Sequence, residues 1–231
     1  MDLRATEVEV LHAGRRSLAG VSTAFAPGSR ALVLGRAGAG KTLLLKALAG
    51  LVRPSRGAVR WDGADVAQMG PAERRERQAG FGFVFQTDAL FDSMSVLDNV
   101  LLPLRRRRVP EAQALARGLQ VLEAVRLSHA AQTLPELLSG GMRKRAGLAR
   151  ALAASPSVLL ADDPFAGLDP GTARQVASVL LEVAGSSTLL VAAPEPPPEL
   201  PFERWLVLRG GELVHDGPPA PARLEEVEAE P

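Results

Sequence analysis

Eight consecutive residues, Gly35-Arg36-Ala37-Gly38-Ala39-Gly40-Lys41-Thr42, carry the clearest chemistry in the sequence. They fit the spacing G-x-x-x-x-G-K-[ST]. Glycines let a backbone curl around an anion with successive N–H groups pointing inward. Lysine in the seventh position brings a compact charge to the β- and γ-phosphates of a nucleotide, and the hydroxyl that follows suits Mg²⁺. A second set lies 120 residues on, where the apolar residues 158–161 end in Asp162 and Asp163. An acid at the carboxyl end of a parallel strand stands where open α/β sheets place their ligands, and Asp162 is a natural Mg²⁺ partner, directly or through water. A third set, Ser139-Gly140-Gly141, opens a stretch with Arg143, Lys144 and Arg145. Bare N–H groups at a helix start make an anion site, or simply an ordinary capped turn.

The elements that must position these residues are legible in outline. Ala31-Leu32-Val33-Leu34 is a continuous apolar run, as expected of a strand buried on both faces. Residues 42–51 have no breaker before Gly50 and read as a helix, so the glycine loop sits between strand and helix. Residues 8–11, 21–25 and 53–63 suggest strands and turns, and 81–85 another strand. From residue 87 to 154 the character is helical, with helical spacing over 111–127 and 142–154. Residues 157–161 and 188–192 return to short buried strands, and 205–208 with 212–214 around Gly210-Gly211 suggest a hairpin. The expected architecture is an α/β P-loop NTPase core with a mixed β-sheet flanked by helices. The core is 1–86 and 157–216, interrupted by a helical insert over 87–156. Residues 217–231, rich in Pro, Ala and Glu, read as a disordered tail.

Composition narrows the alternatives. The 231 residues include 27 basic and 26 acidic side chains, a balance that argues against a general nucleic-acid binder. The absence of cysteine excludes a disulfide framework and thiolate metal sites. Three scattered histidines, His12, His129 and His215, form no ligand cluster. The apolar region 31–52 is broken by Arg36, Lys41 and Lys46 and is no membrane span, and the first residues lack the apolar stretch of a signal peptide. The default location is cytoplasmic. Only Lys41, Lys46 and Lys144 are lysine; every other basic residue is arginine. Lys46 reads as a solvated helix face. Arg105 to Arg108 read as a solvated loop before Pro110 or as a contact for anionic lipid headgroups or a membrane protein.

Taken together, these motifs resemble the ATP-binding subunit of ABC transporters over about residues 5–216. Gly35 to Thr42 match that family's Walker A motif, and Gln86 falls on its Q-loop. Leu138 to Met142 resemble the signature motif with Met in the usual Gln position. Residues 158–163 look like Walker B, and Ala166-Gly167-Leu168-Asp169 like the D-loop. Within the family, residues 85–100 together with Leu-Ser-Gly-Gly-Met look like the ATPase of Mla/Mce-type lipid transport systems. The resemblance implies ATP and Mg²⁺ as cofactors and an ABC-type helical subdomain. It implies a second ATP-binding subunit, as a homo- or heterodimer, and an integral membrane permease that holds this chain on the cytoplasmic face. It places Asp163, Lys41 and Gln86 in catalysis, and Thr42, Gln86 and Asp162 at the metal. Gly35 to Thr42, with Ser139, Gly140 and Gly141 of the opposed subunit, hold nucleotide, and His12 takes the place of the aromatic that often stacks on adenine.

Three departures bear on turnover. The family's catalytic glutamate is Asp163 here, shorter by one C–C bond, ~1.5 Å, and a general base must lie within hydrogen-bond reach of its water. Ala193 stands where the family has its switch histidine. Pro194, Pro196, Pro197, Pro198 and Pro201 follow, where the family continues as a helix. The resemblance therefore implies either an ATPase that energises lipid transport at a reduced rate, or a hydrolysis-impaired nucleotide-binding subunit that gates its partner.

Overall fold

In the computed structural model residues 1–12, 15–197, 200 and 202–222 are described, and the side chains of His12 and Arg15 lie outside that set. In chain order the elements are β1 (Leu3–His12), β2 (Arg15–Phe25), β3 (Arg30–Leu34), α1 (Lys41–Leu48), β4 (Arg56–Trp61), β5 (Ala64–Asp65), α2 (Pro71–Gln78), β6 (Phe81–Val84), α3 (Val96–Arg106), α4 (Glu111–Ala124), α5 (Gly140–Leu152), β7 (Val158–Asp162), α6 (Pro170–Ala184), β8 (Thr188–Ala193), β9 (Trp205–Arg209) and β10 (Glu212–Gly217).

A six-stranded sheet runs β10-β9-β3-β8-β7-β6. It is parallel from β9 to β6, and the β9–β10 hairpin adds an antiparallel edge. The continuous apolar runs follow from burial on both faces. Ala31, Val33, Val158, Leu160, Leu190 and Ala192 face α1 and the second sheet, packing with Leu44, Leu45 and Leu48. Leu32, Leu34, Leu159, Ala161, Leu189 and Val191 face the helical side, among Val100, Leu148, Ala177 and Leu180. The second sheet, β2-β1-β4-β5, is antiparallel and closes over α1.

Three local readings change. First, α2 was not foreseen: Pro-Ala-Glu-Arg-Arg-Glu-Arg-Gln has no apolar stripe and buries no residue. It docks by polar groups instead, with Arg74 and Gln78 donating to the carbonyls of Ala49 and Gly50 at the end of α1. Second, α3 begins only at Val96. The preceding loop is held by buried Asn99, whose Nδ2 donates to the carbonyls of Phe91, Met94 and Ser95 while its Oδ1 accepts from Phe91 N–H. Third, Arg105 to Arg108 are exposed, as a solvated stretch would be, but they are not one loop: Arg105 and Arg106 are the last residues of α3, and Arg105 pairs with Asp98 at 3.0 Å and Glu111 at 2.6 Å. Arg107 donates to the carbonyls of Ala79 and Ala154. Two of the four guanidiniums are thus committed to holding the insert together and to the core.

Candidate active site

The phosphate loop leaves β3 at Gly35, whose φ of 141° is open only to glycine. A Cβ there would lie 2.3 Å from the Leu208 carbonyl oxygen. The loop re-enters helix at Gly40, at φ 102° with the Ser17 carbonyl directly behind it, and α1 begins at Lys41. Ala39, buried beneath the loop, accepts from Gly211 N–H through its carbonyl, so the β9–β10 turn braces the loop from below. Arg36, Ala37 and Gly38 are exposed.

Lys41 Nζ donates to the carbonyls of Gly35 at 2.6 Å and Arg36 at 2.9 Å. Thr42 Oγ1 donates to Asp162 Oδ1 at 3.0 Å across 120 residues. Asp162 is the last residue of β7 and is buried. Asp163 follows in the left-handed region at φ 46°, its N–H donating to the Ala192 carbonyl. Gln86, just past β6, donates through Nε2 to Asp163 Oδ2 at 3.3 Å. These contacts bring Lys41, Thr42, Gln86, Asp162 and Asp163 together at the ends of β3, β6 and β7.

Burial raises the carboxyls of both Asp162 and Asp163 above their ordinary range. For Asp162 the Thr42 hydrogen bond and the charges of Lys46, Lys41 and Lys144 oppose the shift; for Asp163 the charges of Lys41 and Lys144 do. Burial lowers the Lys41 ammonium, against the attraction of Asp163 and Asp162. All three lysines of the chain thus act on this acid pair. Lys46 is half-buried rather than fully solvated, and its charge also favours the ionised form of Asp162.

Ser139 lies elsewhere. It caps α5 by accepting from Met142 N–H, and Gly141 packs so tightly on α6 that a Cβ would sit 2.3 Å from Thr172 Cγ2. Asp169 caps α6 through the N–H groups of Gly171 and Thr172. Among the described contacts, Ser139, Gly140 and Gly141 make none with the phosphate loop of their own chain. The side chain of His12 lies outside the described residues. Ala193 ends β8, buried, offering only a methyl group. Among the described residues no helix lies between β8 and β9.

This arrangement of loop, strand-end acids and helical insert has close counterparts. The ABC transporter family model matches residues 18–166. The chain belongs to the ABC transporter family. A methionine import ATP-binding protein of Mesorhizobium japonicum is 36% identical over 202 residues, 86% of this chain and 55% of the relative. A lipoprotein-releasing system ATP-binding protein of Rhodopirellula baltica is 40% identical over 176 residues, 75% of this chain and 77% of the relative. A phosphonates import ATP-binding protein of Wolinella succinogenes is 37% identical over 222 residues, 91% of this chain and 80% of the relative. The chain spans about half the length of the methionine import relatives it matches. Among solved structures, the dimeric ATP-binding cassette in a post-hydrolysis state bound to ADP and phosphate superposes with TM-score 0.83 at 27% identity, covering 94% of this chain and 98% of that one. A nucleotide-free ATP-binding cassette gives 0.81 at 26% identity, covering all of this chain and 96% of that one. The fold is thus the P-loop NTPase fold of ABC cassettes, with a mixed sheet flanked by helices. Among the described residues no helix is long and apolar enough to cross a membrane.

Sequence reasoning missed one part of this ABC cassette. Asp88, two residues past Gln86, lies 3.2 Å from Lys144 Nζ, and both side chains are largely buried. The rarity of lysine singled out Lys144, but nothing in the sequence joins it to an acid 56 positions away.

Proposed function

We propose that the chain is the ATP-binding and hydrolysing subunit of a transport system, working as one domain over residues 1–216 with 87–156 as its helical insert. The observation that carries this reading is the junction of Lys41, Thr42 and Asp162. It joins a phosphate-sized loop to a strand-end carboxylate through a hydroxyl at 3.0 Å. Lys41 would move from the loop carbonyls to the β- and γ-phosphates, and the loop N–H groups would hold the remaining oxygens. Thr42, Asp162 and Gln86 offer oxygen ligands, the set a hard divalent ion prefers, and they stand together at the end of β7 beside the phosphate loop. Mg²⁺ fits these residues and would supply neutralisation of phosphate charge. Asp163 would accept the proton of the attacking water, with Gln86 orienting its carboxylate.

Ser139, Gly140 and Gly141 make no described contact with their own loop, which supports a second ATP-binding subunit placed head to tail, this chain's signature turn meeting the partner's nucleotide. A membrane permease would receive the resulting motion, holding the chain at the cytoplasmic face. The named relatives span methionine import, phosphonate import and lipoprotein release, so cargo does not follow from them. Residues 85–100 and the Met142 variant of the signature favour a lipid-type system of the Mla/Mce kind.

A second reading has its own support. Asp163 is short, Ala193 is a bare methyl, and prolines stand where a helix would carry the next residues. A subunit so built would bind ATP, close and gate its partner with little turnover. Steady-state phosphate release, with and without the permease, separates the two. The proposal expects wild-type release to exceed that of Lys41→Ala by about 10²–10³-fold. ATP binding with release no higher than in Lys41→Ala leaves the gating subunit, and no ATP binding at all overturns both.

A further inference from the structure

The loop that carries Gln86 is held to α5 by charge rather than by apolar packing. Lys144, one turn into α5, is 6% exposed. Its ammonium donates to the Gln86 carbonyl and lies 3.2 Å from Asp88 Oδ1. That oxygen is buried with no hydrogen-bond partner, so the nearby positive charge is what compensates it. Arg150, a turn and a half further along the same helix, donates to the backbone carbonyls of Asp88 and Ala89. Arg143 adds its guanidinium 3.8 Å from Asp88 Oδ2. Asp88 and Ala89 both sit in the left-handed region, at φ 60° and 51°, a backbone that needs outside support in non-glycine residues. Five contacts from three residues of one helix therefore set the path of the loop. The side chain at its start is Gln86, which touches Asp163.

The fixed end of that helix matters. Ser139 caps α5 and Gly141 locks it against Thr172 of α6, so the turn Ser139-Gly140-Gly141 and the ammonium of Lys144 belong to one rigid element. A displacement at the start of α5 would reach Gln86 through Lys144 over a single helical turn. The charge of Lys144 also reaches Asp163 and opposes the effect of burial there.

From this geometry we infer that Lys144 is a positioning residue: through Asp88 and the Gln86 carbonyl it couples the start of α5 to the placement of Gln86 against Asp163. This rests on the reading of Gln86 and Asp163 as facing ATP. It goes beyond that reading by giving the link between signature turn and acid a single side chain.

Removing Lys144 alone would strand the Asp88 charge, so the variant of choice is the double Asp88→Asn/Lys144→Met, which neutralises both. The expected result is a fall in kcat of about 10-fold with KM for ATP within about two-fold, since a small misplacement at a reacting centre slows chemistry more than binding. Adding Gln86→Ala to the double variant should lower kcat by less than about two-fold further, because both changes remove the same placement. Hydrogen exchange supplies the independent arm: peptides covering 86–89 should exchange faster in the double variant while those covering 35–42 do not change. A matched loss of kcat and thermal stability with raised KM, or losses that multiply with Gln86→Ala, would overturn the inference. If the wild type shows no Lys41-dependent phosphate release, it is the proposed hydrolysis that fails. The exchange arm then decides alone, and unchanged protection of 86–89 sinks the positioning role.

Discussion

The two edges of the cleft are held in different ways. At the β3–α1 edge each functional group is tied by short contacts: Lys41 to two loop carbonyls, Thr42 to Asp162, the loop itself to the β9–β10 turn. At the β7–β8 edge the acid has one side-chain contact, 3.3 Å from an exposed glutamine, and the neighbouring strand ends in a methyl group followed by prolines. The first edge has the parts that hold phosphate already in place. The second has an acid but few groups to orient water around it. Binding and turnover in this chain therefore draw on differently prepared halves of one site, and substitutions should separate them.

The largest effect is expected at the prepared edge. Asp162→Asn keeps the acceptor for Thr42 Oγ1 and removes the charge. Phosphate release should fall by about 10²–10³-fold. Thermal stability at neutral pH should rise, because burial makes the ionised form of Asp162 unfavourable in the folded chain. A calorimetric scan beside the rate measurement checks both, and a stability loss together with retained turnover would break the comparison.

The edge with fewer parts should respond in the opposite sense. Asp163→Glu restores the missing ~1.5 Å of reach and should raise phosphate release by about 10-fold, a fraction of what a well-placed base contributes. The backbone charges something for it. At φ 46° aspartate is better tolerated than glutamate, so a small loss of melting temperature should accompany the gain. No rise in rate would mean that reach does not limit turnover at this edge.

How far these edges could be read in advance follows from the kind of signal each gives. The glycine loop is a local pattern, and the strands beside it are apolar on both faces, so eight adjacent residues and a few short runs suffice to place them. Asp162 was legible because an acid ends an apolar run. The Asp88–Lys144 pair was not, since a buried ion pair across 56 positions leaves no periodicity. Asn99 reads as one polar residue on a helix until its four hydrogen bonds to the 91–95 loop are seen. Helix α2 was invisible for a related reason: its docking groups are Arg74 and Gln78, and backbone carbonyls of another helix have no sequence signature.

A smaller effect should appear in the pH dependence. Asp163 has a folded pKa above the ordinary 3.8, chiefly through burial and against the charge of Lys41. As a base it works ionised, so phosphate release should fall as pH drops through that raised value, with the acid limb above the usual carboxylate range. Stability has the reverse sign. Between the ordinary and the raised pKa the folded chain binds more protons than the unfolded one, so the stability contribution of Asp163 grows as pH falls into that window and is lost as pH rises out of it. Asp98 behaves oppositely: hydrogen bonds from Ser95 and Arg105 hold it low, so its contribution is present at neutral pH and lost as pH falls through its depressed value. Rate and melting curves recorded over one acid series would separate the two. An acid limb at or below the ordinary carboxylate range would remove Asp163 from the role of base.

The smallest effect lies far from the cleft and explains the choice of cation. Away from the acids, arginines close the carboxyl ends of helices. Arg74 serves α1, Arg145 the Val125 and Arg126 carbonyls after α4, Arg117 and Arg107 the end of α5, and Arg30 the Gly185 carbonyl after α6. A guanidinium fork can bridge two such carbonyls at once, in a place where the helix leaves acceptors open and favours a cation. An ammonium is a point charge, and the chain keeps it for the three positions that act on Asp162 and Asp163. Arg117→Lys should keep one of the contacts to the Leu152 and Ala153 carbonyls and Ser155 Oγ, costing about 0.5–1.5 kcal/mol. For a chain of this size that is roughly 2–4 °C of melting temperature per kcal/mol, with phosphate release within about two-fold of wild type. The reverse exchange, Lys41→Arg, should leave the melting temperature within a few degrees and remove most of the turnover, because a broad fork cannot take the place of an ammonium inside the loop. If Arg117→Lys impaired turnover as much as Lys41→Arg, the division of labour between the two cations would not hold.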